Sequence, residues 1–491
     1  MLAAFIFLHK YVLLFFKLDN TSKLLNIFNI IKLSEKKVTV MLSTKTIVIL
    51  VVAIVVISSV GVAWFVFGDG GRNRIEIDAQ LEVFGNANGD GVIDHEDLSI
   101  IQDIIKGEKS FEDYPLADAD CNGVVNTLDY DLTNNIIKAN SNNRVRINII
   151  NHINYGTEIE TVMYPITSAV ATGAANTILI FKYLGIVEEI KGFSWSAAPD
   201  PFLFPEYQYL ISESQRLDTS STKMNVEKVS ELVTSDNVSA IITADNRTYV
   251  TNADTFKQMG IDTVRVTPAA VDSGDYMSTV LMIAFLFDTD GKGYMHKCSE
   301  LISWYEGFFT DLNSKLNSVK KKASAVTSSS NTDISSNLSD YTNALIAAGA
   351  VFPVTSIDWA GSASKKYDYR EGDTWLNVFD IDYVIPIRVS VAGTFSWYEG
   401  TAITKGSAVL KNYMSFFQTM ECYQKGNVYV VCGDMPVVLR IAYIAQILYP
   451  DVVGHNFAYN YNLDFVQKFF GWDENMIKGK PFYVSMRDVG L

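Results

Sequence analysis

The sequence has few of the side chains on which most enzymes rely. Its 491 residues include only five histidines: His9, His95, His152, His296 and His455. None of them stands in a metal-binding or nucleophile motif. Residues 144–491 also lack a carbohydrase signature, although the carboxylate pair of a glycoside hydrolase is spaced in the fold rather than in the sequence. We therefore expect that the protein is not an enzyme.

Cysteine is equally scarce, with four residues in the whole chain: Cys121, Cys298, Cys422 and Cys432. Their spacing does not match a cysteine metal site. Two interpretations of the last pair stay open at this point. Cys422 and Cys432 form a disulfide outside the cell, or they are isolated buried thiols that pack like small apolar side chains.

The sequence lacks a basic stripe with interleaved aromatic residues, the pattern that is typical of nucleic-acid binding. We therefore expect no nucleic-acid partner. The formal net charge is −15 at pH 7, and it is unevenly distributed. The segment from Asp78 to Lys138 contains 14 acidic and 3 basic side chains. Most of the negative charge belongs to this segment, and the rest of the chain is close to neutral.

One long segment has no charged residue at all. It runs from Ile47 to Phe67, and as a helix it would be about 30 Å long, the thickness of one bilayer core. The sequence therefore predicts a transmembrane helix over residues 46–67. Calcium-loop patterns follow it, and calcium is abundant outside cells. We therefore expect a single-pass membrane protein with its N-terminus in the cytoplasm and its binding domains outside the cell.

A cleaved secretory signal and a buried core helix are the alternatives for this segment. It is longer than the apolar part of a signal peptide, and no small-x-small cleavage pattern or lipobox cysteine follows it. Residues 1–45 are interpreted as a cytoplasmic or mis-called N-terminal extension. Our hypothesis is that Met41 is the true start, which N-terminal sequencing of the native protein would test.

The acidic segment contains two copies of a twelve-residue calcium-loop pattern, which begin at Asn86 and Asp118. Such a loop binds calcium through positions 1, 3, 5, 9 and 12 and the backbone carbonyl of position 7, with glycine at position 6. Both copies fill every position. The sequence therefore predicts two calcium ions, held by Asn86, Asn88, Asp90, Val92, Asp94, Asp97, Asp118, Asp120, Asn122, Val124, Asn126 and Asp129.

Apolar residues at helical spacing follow each loop, which predicts one helix after each loop and none before it. With Asp at position 12, this arrangement resembles the type I dockerin module over residues 78–140. The resemblance implies a small all-α calcium-binding domain and a cohesin-type protein as partner. In that family, positions 10 and 11 of the loops help to select the cohesin. Here they are His95-Glu96 and Thr127-Leu128, so the partner stays open.

Short β-rich runs alternate with helical stretches from residue 144 onward, which predicts parallel sheets with crossover helices. Two such groups, residues 144–289 and 323–491, flank residues 290–322. This middle segment has apolar residues at helical spacing and ends in Lys320-Lys321-Lys322, which is favourable at a helix C-terminus. The sequence therefore predicts an α/β fold with two Rossmann-like lobes joined by a long helix.

Local motifs occur in the order found in one family of transport proteins. They are Ala175–Gly192, Asn225–Leu232 with Val238–Thr243, Phe256–Val266, and Gly426–Val431 with Ile441–Pro450. Together they resemble the ABC-importer substrate-binding proteins for iron-siderophores, haem and cobalamin. The resemblance implies a small-molecule or metal-chelate ligand and an ABC permease as partner. It also implies that Glu227, at its motif position, contacts the permease.

Ligands of α/β folds collect at the carboxyl ends of the strands, which here border the cleft between the lobes. Aromatic rings stack on flat ligands, and arginine pairs with anionic ones. The predicted ligand-binding residues are Tyr164, Trp195, Asp245, Arg247, Trp359, Arg388, Trp397 and Tyr398.

The sequence thus predicts a membrane-anchored extracytoplasmic solute-binding protein of an ABC importer for an iron chelate, haem, cobalamin or a metal, carrying a calcium-dependent dockerin-like module. Two alternatives belong to other functional classes. Dockerin modules usually accompany polysaccharide-degrading enzymes, so a cell-surface glycan-active protein is one alternative. A cohesin-docked adhesion protein is the other.

Overall fold

The computed structural model describes residues 79–153, 156–172, 175–194, 203–210, 217–220, 223–245, 247–267, 273–289, 291–330, 332–388, 397–398, 400 and 402–491. The predicted transmembrane segment, residues 46–67, and the extension 1–45 lie outside the described residues. Within the described residues, no helix is both long enough and apolar enough to cross a membrane.

The acidic segment folds into two helices, α1 (His95–Lys106) and α2 (Thr127–Ile137). Each begins at position 10 of a predicted calcium loop and continues beyond it. Asp94 and Asn126 cap the two N-termini, and each accepts a hydrogen bond from a backbone N–H of the first turn. Gly107 ends α1 with a φ of 77°, a left-handed conformation that suits glycine. The prediction of one helix after each loop is confirmed.

A β-hairpin joins this calcium module to the first lobe. Strands β1 (Val145–Ile153) and β2 (Gly156–Tyr164) pair antiparallel. The hairpin lies against the lobe sheet because the Asn151 amide group bonds to the backbone of strand β8 (Asp262–Val266). Its Nδ2 donates to the Thr263 carbonyl at 3.0 Å, and its Oδ1 accepts from the Arg265 N–H at 2.8 Å.

The first lobe is built on a parallel four-stranded sheet with the order β4–β3–β7–β8. Its strands are β3 (Ala169–Ala171), β4 (Ile190–Phe193), β7 (Ala240–Ala244) and β8. Every residue of β3, β7 and β8 is buried, as expected for a parallel sheet with both faces covered. The remaining elements are the strands β5 (Asp218–Ser220) and β6 (Lys223–Met224) and the helices α3 (Ala175–Leu184), α4 (Val226–Asp236), α5 (Ala253–Gln258) and α6 (Ser273–Phe287).

A long helix, α7 (Tyr294–Leu316), connects the lobes. At 1.5 Å per residue it is about 34 Å long. Its buried face is aromatic, and Trp304 donates from its indole N–H to the Asp464 carboxylate of the second lobe at 2.6 Å. The predicted end at Lys320–Lys322 is wrong. Backbone N–H groups of Asn317 and Ser318 turn back onto the last helical carbonyls and close the helix earlier.

The second lobe has shorter strands and a mixed sheet. Strand β9 (Ala325–Val326) runs parallel to β12 (Tyr383–Val384), and β13 (Ile387–Arg388) runs parallel to β14 (Tyr429–Cys432), whereas β15 (Tyr483–Ser485) is antiparallel to β14. The remaining elements are the antiparallel pair β10 (Asp333–Ser335) and β11 (Ser364–Lys366) and the helices α8 (Asp340–Ala347), α9 (Ala402–Ser415), α10 (Glu421–Gln424), α11 (Val437–Leu448), α12 (Pro450–Val453) and α13 (Phe457–Phe470). The α/β class is confirmed, but this lobe departs from the expected Rossmann-like pattern.

Eight 3-10 helices complete the described elements: Phe111–Asp113, Pro115–Ala117, Pro205–Leu210, Arg247–Val250, Tyr369–Glu371, Trp375–Val378, Glu474–Met476 and Arg487–Val489.

The lobes also touch through a lysine that is enclosed by aromatic rings. Lys182, on α3 of the first lobe, pairs with Glu206 at 2.8 Å. Its ammonium group also lies 4.9 Å from the ring centroid of Phe470 and 5.4 Å from that of Trp472, both in the second lobe. The Lys182 side chain is only 6% exposed. This contact, which we call the Lys182 clamp, joins the two lobes.

All four cysteines are free thiols. Burial raises the pKa of Cys422 to about 11, that of Cys298 to about 12, and that of Cys432 well above its ordinary value. The disulfide between Cys422 and Cys432 is therefore the wrong alternative, and the buried thiols pack as apolar side chains.

Candidate functional site

The two calcium loops have the same hydrogen-bonding pattern. In each loop the position-12 carboxylate is fully buried. Asp97 accepts the backbone N–H groups of Asn88 at 3.1 Å and Asp94 at 2.8 Å. Asp129 accepts those of Asp120 at 3.1 Å and Asn126 at 2.8 Å. Both loops therefore fold back onto the first turn of the following helix, as a loop closing around a cation must.

Three carboxylates converge in the second loop. One oxygen each from Asp118, Asp120 and Asp129 lies within 4.8 Å of the others. Burial, together with the charge of Asp129, raises the pKa of Asp118 to about 6, and burial raises the pKa of Asp129. Carboxylates held this close and this deep repel one another without a cation between them. These residues fit a divalent cation.

The first loop contains an oxygen without a partner. Asn86 is fully buried, and its Nδ2 donates to the carbonyls of Leu81 at 2.7 Å and Asp90 at 2.9 Å. Its Oδ1 has no hydrogen-bond partner. An unsatisfied buried oxygen costs about 1–3 kcal/mol, which a cation bound at position 1 of the loop would offset. Calcium prefers such a set of carboxylate, amide and carbonyl oxygens.

Positions 10 and 11 of both loops face solvent. His95, Glu96, Thr127 and Leu128 are all exposed, and 61% of the Leu128 surface is accessible. An apolar side chain this exposed is available to a partner protein, which is what the predicted cohesin contact requires. The contact itself stays a prediction.

A second candidate site involves residues near the carboxyl ends of β7 in the first lobe and β13 in the second. Asp245 follows β7, and Tyr249 lies in the 3-10 helix after it. Tyr341 begins α8 of the second lobe. Burial, Asp245 and Tyr341 all raise the pKa of the Tyr249 hydroxyl. Groups from the two lobes are therefore close enough to interact electrostatically at this edge, which we call the lobe cleft.

Arg388, the last residue of β13, contributes a cation to the lobe cleft. Its guanidinium carbon lies 5.0 Å from the ring centroid of Tyr413. Its Nε is buried and has no hydrogen-bond partner. It also lowers the pKa values of Tyr341 and Tyr413, which burial raises. Buried N–H donors are almost always satisfied in folded proteins, so an anionic acceptor is the ligand that this group fits.

Three of the predicted ligand-binding residues belong to the core instead. Tyr164 is buried and stacks on Phe285 with ring centroids 4.5 Å apart. Trp397 is fully buried, and its indole N–H donates to the Arg388 carbonyl at 3.2 Å. Tyr398 is only 2% exposed. The prediction is wrong for these three rings, because burying an aromatic side chain in the core stabilises the fold more than leaving it at an open edge.

The other predicted residues have mixed outcomes. Trp359 is half-buried in a separate aromatic group with Phe352 and Trp375. The Arg247 backbone begins the 3-10 helix after β7, and Trp195 lies outside the described residues. Glu227 is exposed in the first turn of α4, which leaves it available to a permease.

Sequence reasoning missed Tyr249, Tyr341 and Tyr413. Tyr249 lies a few residues after the end of β7, and this position in the sequence could have identified it as a candidate ligand-binding residue. Tyr341 and Tyr413 lie on helices and carry no such signal, because only the packing of α8 and α9 brings them to the lobe cleft.

A groove of about 430 Å³ opens at the C-terminal end of α7, between Asp311 and Lys315 on that helix and residues 453–461. In this groove the Lys315 ammonium group pairs with the Asp311 carboxylate at 3.2 Å. The groove thus offers no uncompensated charge from this pair, whereas the lobe cleft has the unpartnered Nε of Arg388.

No protein-family model matches the chain, and no curated protein matches its sequence. The solved structures similar to it are periplasmic binding proteins. One is the TroA-like periplasmic binding protein FepB from Veillonella parvula, 13% identical with a TM-score of 0.49, covering 68% of this chain and 99% of that chain. Another is Helicobacter pylori CeuE with Ni(II) bound, 13% identical with a TM-score of 0.46, covering 67% and 98%. The periplasmic heme binding protein HutB of Vibrio cholerae is 11% identical with a TM-score of 0.40, covering 58% and 100%. Likenesses of this size do not decide the function, which rests on the contacts within the chain.

Proposed function

We propose that this protein is a membrane-anchored, extracytoplasmic solute-binding protein of an ABC importer, and that its solute is an anionic small molecule or metal chelate. The observation that carries the proposal is the buried, unpartnered Nε of Arg388 at the carboxyl end of a strand. It lies at an edge where Tyr249 of one lobe interacts with Tyr341 of the other. In α/β folds, this edge is where ligands bind.

The chemistry of the lobe cleft favours binding over catalysis. Burial raises the pKa values of Tyr249, Tyr341 and Tyr413, so these phenols keep their protons at neutral pH. A protonated phenol donates a hydrogen bond but is a poor base and a poor nucleophile. Together with a guanidinium, such donors bind and orient an anion. Ferric siderophores, haem, cobalamin and oxyanions all have anionic or polarised oxygen groups that this set would hold.

The calcium module adds a second binding activity to the proposal. Asn86 to Asp97 and Asp118 to Asp129 would each hold one calcium ion through the oxygens described above. The bound ions would neutralise the converging carboxylates and fix both loops. A cohesin-type protein would dock on the exposed face around Thr127 and Leu128. The uncharged segment Ile47–Phe67 would anchor the protein, and an ABC permease would contact Glu227.

Arg388 provides the test of solute binding. The purified protein is titrated with a ferric catecholate chelate, haem, cobalamin and molybdate, with intrinsic fluorescence as the readout. For the probe that binds, we expect Arg388→Ala to weaken affinity at least tenfold, about 1.4 kcal/mol, through the loss of a charge-assisted hydrogen bond. Arg370→Ala is the matched control, because Arg370 pairs with Asp368 at 2.7 Å elsewhere in the second lobe.

Binding that is equally tight in Arg388→Ala would show that the solute site lies elsewhere. Hydrolysis of a polysaccharide by the same preparation would favour the glycan-active alternative.

A further inference from the structure

The calcium module is attached to the first lobe by a strand rather than by a free linker. Val83 pairs with Ile149 of β1 as an antiparallel bridge. On either side, the Phe84 N–H donates to the Asn148 carbonyl at 2.9 Å, and the Ile150 N–H donates to the Glu82 carbonyl at 3.0 Å. Leu81–Phe84, which we call the docking strand, is therefore bonded to β1 through an isolated bridge beside the two-stranded β1–β2 sheet.

Burial shows that this attachment is part of the fold. Leu81 and Val83 are fully buried, and they share one apolar core with Ile147 and Ile149 of β1 and with Val162 of β2. Just before the docking strand, the Gln80 N–H donates to Ser278 Oγ on α6 at 2.9 Å. The docking strand thus belongs equally to the module and to the lobe.

Asn86 connects the docking strand to the first calcium loop. Its Nδ2 donates to the Leu81 carbonyl and to the Asp90 carbonyl, while its Oδ1 is left without a partner. The equivalent residue of the second loop, Asp118, only accepts hydrogen bonds, from Asn122 at 3.1 Å and Gly123 at 2.7 Å. An asparagine at this position can hold a cation with one atom and the docking strand with the other. An aspartate can do only the first.

The contacts continue from β1 to β8 of the first lobe. Asn151 of β1 bonds to the backbone of β8 at two points. Directly after β8, the Thr267 N–H donates to Thr279 Oγ1 of α6 at 3.2 Å. A series of hydrogen bonds therefore runs from the first loop to the carboxyl end of β8, the strand that pairs with β7.

We propose that Asn86 makes calcium a regulator of the solute-binding lobe. Calcium at the first loop satisfies Asn86 Oδ1 and keeps the amide in the orientation that holds Leu81. Without calcium, the orphaned oxygen favours an amide that turns away, which releases the Leu81 carbonyl and loosens the docking strand from β1. The lobe is then more ordered when calcium is present. This inference rests on the calcium binding proposed above. It adds that the effect of calcium binding reaches the first lobe through Asn86 and the docking strand.

Hydrogen exchange of the full chain, with calcium chloride or with chelator, tests the proposal. At a calcium concentration of 100 times Kd, any opening that releases the ion is suppressed about 100-fold. We expect this protection in the docking strand and in β1, with a smaller effect in β8. Protection confined to residues 86–138 would overturn the proposal while leaving calcium binding intact. Absence of calcium binding by calorimetry would overturn both.

Three variants separate binding of the ion from its transmission. Asn86→Asp keeps an oxygen for the ion but loses both amide donations, so calcium should still bind while protection of β1 falls at least tenfold. Asn86→Ala should lose both. Asp131→Ala, an exposed change on α2 outside both loops, should leave protection of β1 near that of the unmodified protein. Full protection of β1 in a calcium-loaded Asn86→Asp protein would show that Asn86 does not carry the coupling. Circular dichroism verifies that each variant is folded.

Discussion

Several of the described side chains have a buried polar atom without a hydrogen-bond partner. The surroundings of three of these atoms indicate whether the atom is available to a ligand or only destabilises the fold. Asn86 Oδ1 lies at a calcium loop, and Arg388 Nε lies at the lobe cleft. The hydroxyl of Tyr398 is also buried and without a hydrogen-bond partner, but its ring packs between Trp472 and Phe482. The first two atoms lie at the proposed ligand sites. The third lowers the stability of the fold, and the packing of the surrounding aromatic rings outweighs this loss.

Removing the Tyr398 hydroxyl should therefore not destabilise the protein. We expect Tyr398→Phe to leave the free energy of unfolding unchanged or to raise it by up to about 1 kcal/mol, because an unpaired buried hydroxyl is lost. Tyr398→Ala should lower it by about 3–5 kcal/mol through the cavity that it creates. Chemical denaturation gives both values. A substantial loss of stability in Tyr398→Phe would mean that the hydroxyl has a hydrogen-bond partner and is not a cost to the fold.

At the level of elements, helices α1 and α2 could be predicted from the apolar residues at helical spacing. The two loops are recognisable because all their predicted ligands lie within twelve residues, and calcium binding itself stays a prediction. The lobe cleft could not be predicted in the same way. Arg388 ends a strand, which is a signal in the sequence, but Tyr341 and Tyr413 come from two helices far apart in the chain. For Trp397 and Tyr398, proximity to a strand end does not reveal on which side of the sheet a ring will lie.

Each calcium loop should behave as a separate binding element with one essential terminal carboxylate. Asp97→Ala and Asp129→Ala should each reduce the calcium stoichiometry from two ions to one, because each removes the buried ligand that closes its loop. Asp131→Ala is the control, since this exposed carboxylate lies on α2 outside the loop. Isothermal titration calorimetry measures the stoichiometry. Two ions bound in either loop variant would contradict the assignment of position 12.

At the scale of the whole molecule, the aromatic face of α7 and the Lys182 clamp join the two lobes. These contacts oppose large hinge motion, so a solute should enter a largely preformed cleft with a small change in overall shape. The permease must then recognise the loaded receptor mainly by its surface. An exposed residue such as Glu227 can serve that purpose without taking part in solute binding.

The Lys182 clamp should contribute measurably to stability. Lys182→Ala removes a buried cation from Glu206 and from two aromatic rings, and we expect a loss of about 3 kcal/mol in the free energy of unfolding. Lys257→Ala is the matched control. Lys257 also pairs with a glutamate, Glu160, at 2.6 Å, but its side chain is 62% exposed, so its loss should cost at most about 1 kcal/mol. Equal losses in the two variants would show that the clamp does not hold the lobes together.

A Glu227 variant allows solute binding and transport to be tested separately. We expect Glu227→Ala to leave solute affinity unchanged and to reduce uptake by cells that contain the permease, because its carboxylate would pair with basic residues of that partner. Glu231→Ala, an exposed change one turn later on α4, controls for general loss of charge. Uptake is measured with the probe that binds in the fluorescence titration. Normal uptake by Glu227→Ala would remove Glu227 from the permease contact.

The docking strand also has a mechanical meaning. The chain is fastened to the first lobe from Gln80 onward, by the bond to Ser278 and then by the pairing with β1. A pull on Gln80 therefore acts directly on the sheet of the first lobe. Because Asn86 donates a hydrogen bond to the same strand, calcium bound as proposed above would set the mechanical stiffness of this attachment.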